Sequence, residues 1–157
     1  IENGRNPIRI VCDSKLRIPL DCNICKTANE ISTLVVSAIE DSEKQAELEK
    51  MGVKTLILPD KNGKVDLKKL MQYLGEKSID SVLIEGGGTL AYSALQSKIV
   101  SHIYSYIAPK IFGGENAKTP VESVGVEAPD DCFKLKRTNV RELGSDILIE
   151  YDVLEVQ

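Results

Sequence analysis

Short apolar runs bounded by polar residues set the pattern of the first half of the chain. Runs of four or five residues predict buried strands at residues 9–12, 33–37 and 54–58, the last of which is stopped by Pro59. The polar segment between the second and third runs, residues 43–51, predicts an exposed helix with Asp41 or Ser42 as its cap. The first half therefore reads as alternating strands and helices.

Apolar residues then recur at spacings of three and four, which predicts a second helix that begins after Asp66. These positions are Leu67, Leu70, Met71 and Leu74. A further apolar run, residues 82–84, predicts a buried strand. It leads through Glu85 and three glycines into a helix, with Thr89 as the expected cap and an end near Ser97.

The last third of the chain alternates apolar and polar positions, as strands do. Residues 99–108 predict one strand, and residues 132–137 and 146–156 predict an antiparallel pair around Gly144. Strands that alternate with helices imply parallel right-handed crossovers. We therefore predict an α/β fold: a mixed, mainly parallel sheet flanked by helices, with an antiparallel C-terminal hairpin.

The segment Glu85–Gly88 is the strongest candidate for a binding site. A strand that turns through glycines into a helix presents free N–H groups and the positive end of that helix. Glycines let a phosphate approach without a Cβ in the way, and a carboxylate at the end of such a strand lies beside the ligand. The spacing matches neither the dinucleotide fingerprint nor a P-loop, so a plain tight turn is the alternative.

Composition narrows the class of protein. The 157 residues fit one domain, and a net charge of −4 without a long basic run argues against nonspecific nucleic-acid binding. No apolar run approaches the roughly 18 residues that span a bilayer.

Four cysteines raise the question of metal or redox chemistry. Cys22 and Cys25 have zinc or redox spacing, but a structural zinc needs about four ligands and His102 is the only histidine. We predict a loop over residues 15–30, so the pair lies in a turn-like segment rather than at a strand-to-helix junction. We expect no metal site and reduced, unpaired thiols, as in a cytoplasmic protein.

Three segments together resemble one family. They are residues 7–14 (PIRIVCDS), 82–90 (VLIEGGGTL) and 106–114 (YIAPKIFGG). In this order and spacing they are similar to the reductase domain of the bifunctional deaminase-reductase of riboflavin biosynthesis, which has a dihydrofolate-reductase-like fold. The similarity covers essentially the whole chain.

The resemblance implies an enzyme that uses NADPH to reduce 5-amino-6-(5-phosphoribosylamino)uracil to its ribitylamino product. It implies that Glu85 contacts the substrate, and it leaves the catalytic residue unassigned. Glu85 has two other readings: an acid that protonates the imine nitrogen, or a carboxylate bonded to its own turn. The cofactor contacts implied by the resemblance are Ser14, Gly87, Gly88, Thr89, Leu90, Ala91, Tyr92 and Ser93. The alternative for Ser14 is a helix or turn cap.

The chain also departs from the family pattern. It has no tryptophan, it begins at Ile1 just before a later strand, and it lacks the zinc deaminase signature. We therefore expect residues 1–157 to be a single, N-terminally truncated reductase domain, with the deaminase domain upstream in the full-length chain. A missing first strand would expose a sheet edge, and we expect a homodimer.

Two kinds of alternative stay open. One is a dihydrofolate-reductase-like enzyme that acts on another substrate. The other is a non-catalytic module in which the glycine segment binds a nucleotide, or serves only its own turn.

Overall fold

A computed structural model describes residue 4 and residues 6–154. The chain divides into two compact units, Ile1–Ser78 and Ile79–Gln157. The prediction of a single domain stays a prediction. None of the helices in the described ranges is long and apolar enough to cross a membrane.

The first unit alternates strands with helices. In chain order its elements are β1 (Arg9–Cys12), α1 (Asn23–Lys26), β2 (Thr33–Ser37), α2 (Ser42–Lys50), β3 (Val53–Ile57) and α3 (Leu67–Glu76). The three strands form a parallel sheet in the order β1-β2-β3, with Val35 opposite Val11 on one side and Thr55 on the other. All five residues of β2 are buried, as expected for the central strand of a parallel sheet, and the three middle ones are apolar.

A hydrophobic core joins the helices of this unit to its sheet. Leu48 of α2, Cys25 of α1, and Val35 and Val53 of the sheet are each at most 1% exposed. Leu16 and Ile18, from the segment after β1, complete the buried cluster. The long connection between β1 and α1 is therefore a packed part of the unit.

Carboxylates cap both longer helices of the first unit. Asp41 Oδ1 accepts a hydrogen bond from Lys44 N–H at 3.0 Å, and Asp66 Oδ1 accepts one from Lys69 N–H at 3.1 Å. Each bond satisfies a donor in the first helical turn that has no partner within the helix. The predicted caps of α2 and α3 are confirmed, since Asp41 was one of the two candidates for α2.

The second unit contains one helix and an antiparallel sheet. Its elements are α4 (Gly88–Gln96), β4 (His102–Ile107), a short 3₁₀ turn (Pro129–Asp131), β5 (Leu135–Leu143) and β6 (Asp146–Val153). The sheet order is β4-β6-β5, so β6 lies in the middle, with Ile149 opposite Ser105 and Val140. Gly144, at φ +64°, turns β5 into β6.

The structure confirms the α/β class, with a parallel sheet, flanking helices and a C-terminal antiparallel hairpin. The strands lie in two three-stranded sheets rather than in one mixed sheet. Two smaller predictions are wrong. Residues 23–26 form a helical turn where a loop was expected, and the N-cap of α4 is Gly87 instead of Thr89.

The strand predicted at residues 82–84 is also wrong, since residues 79–87 have no regular secondary structure. Val82 and Leu83 are 39% and 73% exposed. An apolar run becomes a buried strand only where neighbouring strands pair with it, and neither sheet in the described part of the chain includes this segment. The hydrophobicity of residues 82–84 does not indicate whether another strand is available to pair with them.

Candidate functional site

The candidate site is the glycine turn that leads into α4, in the second unit. Gly87 is the N-cap, and its carbonyl accepts hydrogen bonds from the N–H groups of Leu90 and Ala91, both at 3.0 Å. No side chain caps this helix. Within residues 4 and 6–154, the N–H groups of Gly87, Gly88 and Thr89 donate to no protein acceptor. These donors can bind an anion.

Open space surrounds the first two glycines of the turn. A Cβ added to Gly86 or Gly87 would meet no atom within 4 Å, and both residues are exposed. Gly86 has φ +150°, a backbone conformation that side chains other than glycine rarely adopt. The turn is therefore open to a ligand on the side of these two residues.

Gly88 serves a different purpose. A Cβ there would lie 2.6 Å from Glu122 Cγ and 2.8 Å from Glu122 N. Glu122 Oε1 in turn accepts a hydrogen bond from Thr119 N–H at 2.9 Å, which holds the loop in place. The absence of a side chain at Gly88 is needed for this loop to pack against the helix.

The remaining predicted cofactor contacts follow along α4. Thr89 is exposed, and its carbonyl accepts a hydrogen bond from Ser93 Oγ at 2.8 Å. Leu90, Ala91 and Ser93 are partly buried. The structure thus gathers Gly87, Gly88 and Thr89 at the start of the helix and places the others on its flanks.

Tyr92 belongs to the interior of the second unit. Its hydroxyl donates to the Gly125 carbonyl at 3.0 Å, and its ring meets the Phe133 ring edge-on with centroids 5.8 Å apart. The side chain is 7% exposed. Tyr92 therefore positions the loop that follows β4, a packing role that its place in the sequence motif did not indicate.

A cavity of about 360 Å³ lies against Tyr92. Its other lining residues include Thr119, Val121, Ser123, Gly125, Val126 and Phe133. The sequence predicts no helix or strand over residues 112–128, and it did not predict this cavity. The loop has no periodic pattern, so its sequence carries no signal that would have identified the cavity.

Glu85 immediately precedes the three glycines. Its side chain is exposed, and among the described residues it makes no ion pair or hydrogen bond with another side chain or with a backbone N–H. The alternative in which Glu85 bonds to its own turn is therefore not seen. An exposed carboxylate beside a set of free N–H donors is available to a ligand.

Ser14 lies in the first unit, apart in the chain from residues 85–93. Its hydroxyl oxygen accepts a hydrogen bond from Val65 N–H at 3.1 Å, and its carbonyl accepts one from Ala38 N–H at 3.1 Å. Next to it, the Asp13 carboxylate accepts a hydrogen bond from Ile18 N–H at 2.7 Å. This bond joins segments that are distant in the chain, so it is not the local cap that was the alternative for Ser14, and the role of Ser14 toward a cofactor stays a prediction.

The histidine and the possible metal site remain to be placed. His102 Nδ1 lies 2.7 Å from Asp152 Oδ1, on the neighbouring strands β4 and β6. Across the described ranges, no group of three or more histidine, cysteine, aspartate or glutamate side chains is arranged to hold a metal ion.

Comparison with known sequences gives consistent matches. The family model described as the RibD C-terminal domain matches residues 1–149. The riboflavin biosynthesis protein RibD of Actinobacillus pleuropneumoniae is 45% identical over 152 residues, which are 97% of this chain and 40% of that protein. The chain thus spans about two fifths of the length of this relative.

A second relative is matched over more of its length. The 2,5-diamino-6-ribosylamino-4(3H)-pyrimidinone 5′-phosphate reductase of Methanothermobacter thermautotrophicus is 34% identical over 151 residues, which are 96% of this chain and 68% of that protein. Among solved structures, RibD of Acinetobacter baumannii superposes with a TM-score of 0.76 at 26% identity, covering 93% of this chain and 37% of that one.

Proposed function

Because the chain belongs to the family of RibD C-terminal domains, we propose that it is an NADPH-dependent reductase of riboflavin biosynthesis. Its proposed substrate is 5-amino-6-(5-phosphoribosylamino)uracil, and its product is the ribitylamino compound. The observation that carries the proposal is the 45% identity, over 97% of the chain, to a protein named for riboflavin biosynthesis. We further propose that residues 1–157 act as one reductase domain, since the family match runs through both units.

The glycine turn fits the phosphate of a nicotinamide dinucleotide. Gly86 and Gly87 have no neighbour in the space that a Cβ would fill, and three N–H groups at the start of α4 have no protein acceptor within the described ranges. We propose that this turn and residues 87–93 hold the cofactor, with Ser14 as a further contact. When bound, NADPH would supply the hydride that C1′ of the ring-opened ribose accepts.

The chain's own contribution is to bind and orient the substrate. Glu85 is exposed and unpaired in the described structure, so its carboxylate can accept hydrogen bonds from a sugar hydroxyl or a pyrimidine N–H. Its position directly before the phosphate-binding turn would bring such a substrate next to the cofactor. The residue that protonates the imine nitrogen stays unassigned.

A second candidate substrate follows from the Methanothermobacter relative, whose name specifies the 2,5-diamino pyrimidinone. That compound carries an amino group where the uracil carries a ring carbonyl. A protein group that recognises this position must accept a hydrogen bond from the amino compound and donate one to the uracil. Turnover of the two compounds by one preparation would show which is preferred.

The proposed assembly is a homodimer in the cytoplasm, where NADPH and reduced thiols are both available. Every residue of the edge strand β5 is exposed, and Val140 and Leu143 on it are apolar. Exposed strand edges invite pairing with another chain. The zinc deaminase domain implied upstream stays a prediction, which the coding sequence upstream of Ile1 would test.

The first experiment measures cofactor binding by this chain. At about 100 times its dissociation constant, NADPH should add roughly 2.7 kcal/mol to the free energy of unfolding, and NADH should add less at the same concentration. Gly87→Val should abolish the increment caused by NADPH. Gly75→Val is the matched control, because Gly75 is exposed on α3 and its Cβ would meet no atom within 4 Å.

Loss of absorbance at the reduced-nicotinamide band, on addition of the pyrimidine substrate, then tests catalysis. NADPH oxidation that depends on the substrate supports the reductase. The chain would be a nucleotide-binding module, and no reductase, if it binds NADPH but oxidises it with neither this substrate nor other pteridine or pyrimidine substrates. A cooperative melt that NADPH does not shift would overturn the proposed cofactor site.

A further inference from the structure

Cys22 and Cys25 are close neighbours in the first unit. Their sulfur atoms lie 3.5 Å apart, within hydrogen-bond distance for sulfur. Cys22 is the residue before the helical turn α1, and Cys25 is its third residue. In the described structure all four cysteines are free, so the contact joins two thiols.

The two thiols differ in their surroundings. Cys22 is partly buried at the edge of the core, whereas Cys25 is 0% exposed among Leu16, Ile18 and Ala28. A reagent in solution can therefore reach Cys22 first. Cys25 is closed to solvent.

The pKa values of the two thiols also favour Cys22 as the first to react. Burial is the largest influence on Cys22 and raises its pKa, but hydrogen bonds from the N–H groups of Cys25 and Ile24 and from the Cys25 thiol outweigh it. The net pKa of Cys22 is lowered. Burial is the largest influence on Cys25, followed by its hydrogen bond with Cys22 and by the negative charge of the Cys22 thiolate. Together they raise the pKa of Cys25 to about 11. Cys22 is the better nucleophile at neutral pH, because the thiolate is the reactive form.

Three charged groups act on the pair from neighbouring segments. Asp21, beside Cys22 in the chain, raises the pKa of Cys22. Lys44 of α2 and Arg9 of β1 both lower the pKa of Cys25, but less than burial raises it. Their effects therefore leave the difference between the two thiols in place.

We propose that Cys22 and Cys25 form a redox-active dithiol, which a small-molecule disulfide oxidises to an intramolecular disulfide. The Cys22 thiolate attacks one sulfur of the oxidant, which forms a mixed disulfide and releases one thiolate. Cys25 then loses its proton to solvent, and its sulfur attacks Cys22 Sγ and releases the second thiolate. In total, two protein thiols become one disulfide, and one small-molecule disulfide becomes two thiols.

The fold can accept this bond. A disulfide needs the sulfurs about 2.05 Å apart, so they must approach by roughly 1.5 Å. Both residues lie on the same turn, and hydrogen bonds that do not involve either sulfur stabilise this turn. Arg9 Nη2 donates to the Ile24 carbonyl at 3.1 Å, and Lys26 N–H donates to the Cys22 carbonyl at 3.0 Å. A disulfide carries no charge, so it adds none to the core.

The experiment uses two double variants of the chain. Cys12→Ser/Cys132→Ser keeps only the proposed pair, and Cys22→Ser/Cys25→Ser keeps only the other two cysteines. Each is incubated with oxidised glutathione, quenched in acid and weighed by mass spectrometry. The first variant should lose about 2 Da, and peptide mapping should join residues 22 and 25, with reversal by dithiothreitol. The second should not lose this mass.

Two results would overturn the proposal: a pair that stays reduced, or glutathione adducts that accumulate without the internal disulfide. Alkylation by iodoacetamide against pH is an independent readout in the natural sequence. Cys22 should react first and at lower pH than Cys25, whereas a Cys25 that reacts at the same pH as Cys22, or at a lower one, contradicts the assignment. Cys22→Ser alone keeps Cys25 in the core, so it serves as the control if the double variant does not fold.

Discussion

Arg9 shows how one charged side chain organises the first unit. Its guanidinium donates to Thr33 Oγ1 at 2.7 Å and to Thr27 Oγ1 at 2.8 Å. It also donates to the carbonyls of Ile24 and Ile31, both at 3.1 Å. These bonds connect β1 to the neighbouring strand and to the turn that carries the cysteine pair. The rigid fork of donors makes this set of contacts possible.

Arg9→Lys should therefore destabilise the first unit, because a lysine ammonium cannot reach four separated acceptors at once. We expect the free energy of unfolding to fall by roughly 2 to 3 kcal/mol, measured by urea denaturation. Arg17→Lys is the control, since Arg17 is exposed and its guanidinium only approaches Asp13 at 3.4 Å. It should cost less than about 0.5 kcal/mol. Equal losses in the two variants would contradict the role given to Arg9.

Glu85 is the residue on which the proposed chemistry can be tested with least disturbance to the fold. Glu85→Gln breaks no hydrogen bond seen in the described structure, so stability should change by less than about 0.5 kcal/mol. The KM for the pyrimidine substrate should rise and kcat/KM should fall about tenfold or more, because a charged acceptor is replaced by a neutral amide.

The dissociation constant for NADPH should stay the same in Glu85→Gln, as measured by fluorescence titration. Glu76→Gln, at an exposed position at the end of α3, is the matched control and should leave both constants unchanged. If Glu85→Gln keeps full kcat/KM, then Glu85 does not contact the substrate.

Among the elements, α3 depends on one carboxylate at its start. A hydrogen bond from Lys69 N–H, the largest influence, lowers the pKa of Asp66 below its usual value. A carboxyl with a lowered folded-state pKa stabilises the fold above its unfolded value of about 3.9. That stability is lost as the pH falls through the lower, folded-state pKa.

Asp66→Ala should remove this cap and lower the free energy of unfolding at pH 7 by about 1 kcal/mol. The difference from the natural sequence should shrink as the pH falls below 4, because the protonated carboxyl is a weaker acceptor. Asp66→Asn should keep much of the cap and lose most of its pH dependence. Urea denaturation across pH 3 to 7 measures both effects, and a constant difference at every pH would contradict the assignment.

In the glycine turn into α4, Gly86 and Gly87 have free space where a Cβ would lie, whereas at Gly88 that space is filled by Glu122. Gly88→Ala would place a Cβ 2.8 Å from the Glu122 backbone nitrogen, so the loop would have to move. We expect a cost of roughly 1 to 3 kcal/mol in thermal or urea unfolding. Gly75→Ala in α3 meets no atom and should instead stabilise the helix by up to about 1 kcal/mol. A tolerated Gly88→Ala would mean that the loop does not pack against this helix.

The sequence predicted the elements whose signals are local. Residues 9–12 and 33–37 have the predicted strand bounds, and Asp66 caps the predicted helix, because apolar runs and capping residues act over a few positions. The strand expected at residues 82–84 does not form, because a strand needs to pair with segments that are distant in the chain. The turn at residues 23–26 was missed because four residues are too short for helical periodicity.

The same limit applies to the candidate site. The glycines and Glu85 were identified because their order along the chain already indicates a turn that can bind an anion. The sequence did not predict the contact between Gly88 and Glu122 or the cavity beside Tyr92. Both depend on a loop that lies about 30 residues further along the chain. Local chemistry can be predicted from sequence, whereas the packing that supports it cannot.

At the scale of the whole molecule, the exposed apolar residues point to association between chains. All nine residues of β5 are exposed, and the strand lies at the edge of its sheet. An edge strand with apolar side chains and unpaired backbone groups is a template for pairing. The proposed homodimer would cover such a surface, which is costly to leave in water.

Val140→Lys tests this assembly, because it places a charge on an apolar position of β5 that is 49% exposed. The natural chain should have about twice the monomer mass by light scattering, and Val140→Lys should raise the dissociation constant at least about tenfold, or roughly 1.4 kcal/mol. Ile8→Lys, at a position that is 47% exposed in the first unit, should leave this dissociation constant unchanged. Equal weakening by both variants would point to charge in general. No weakening by either would place the dimer contact away from β5, and a monomer at every concentration would remove the dimer altogether.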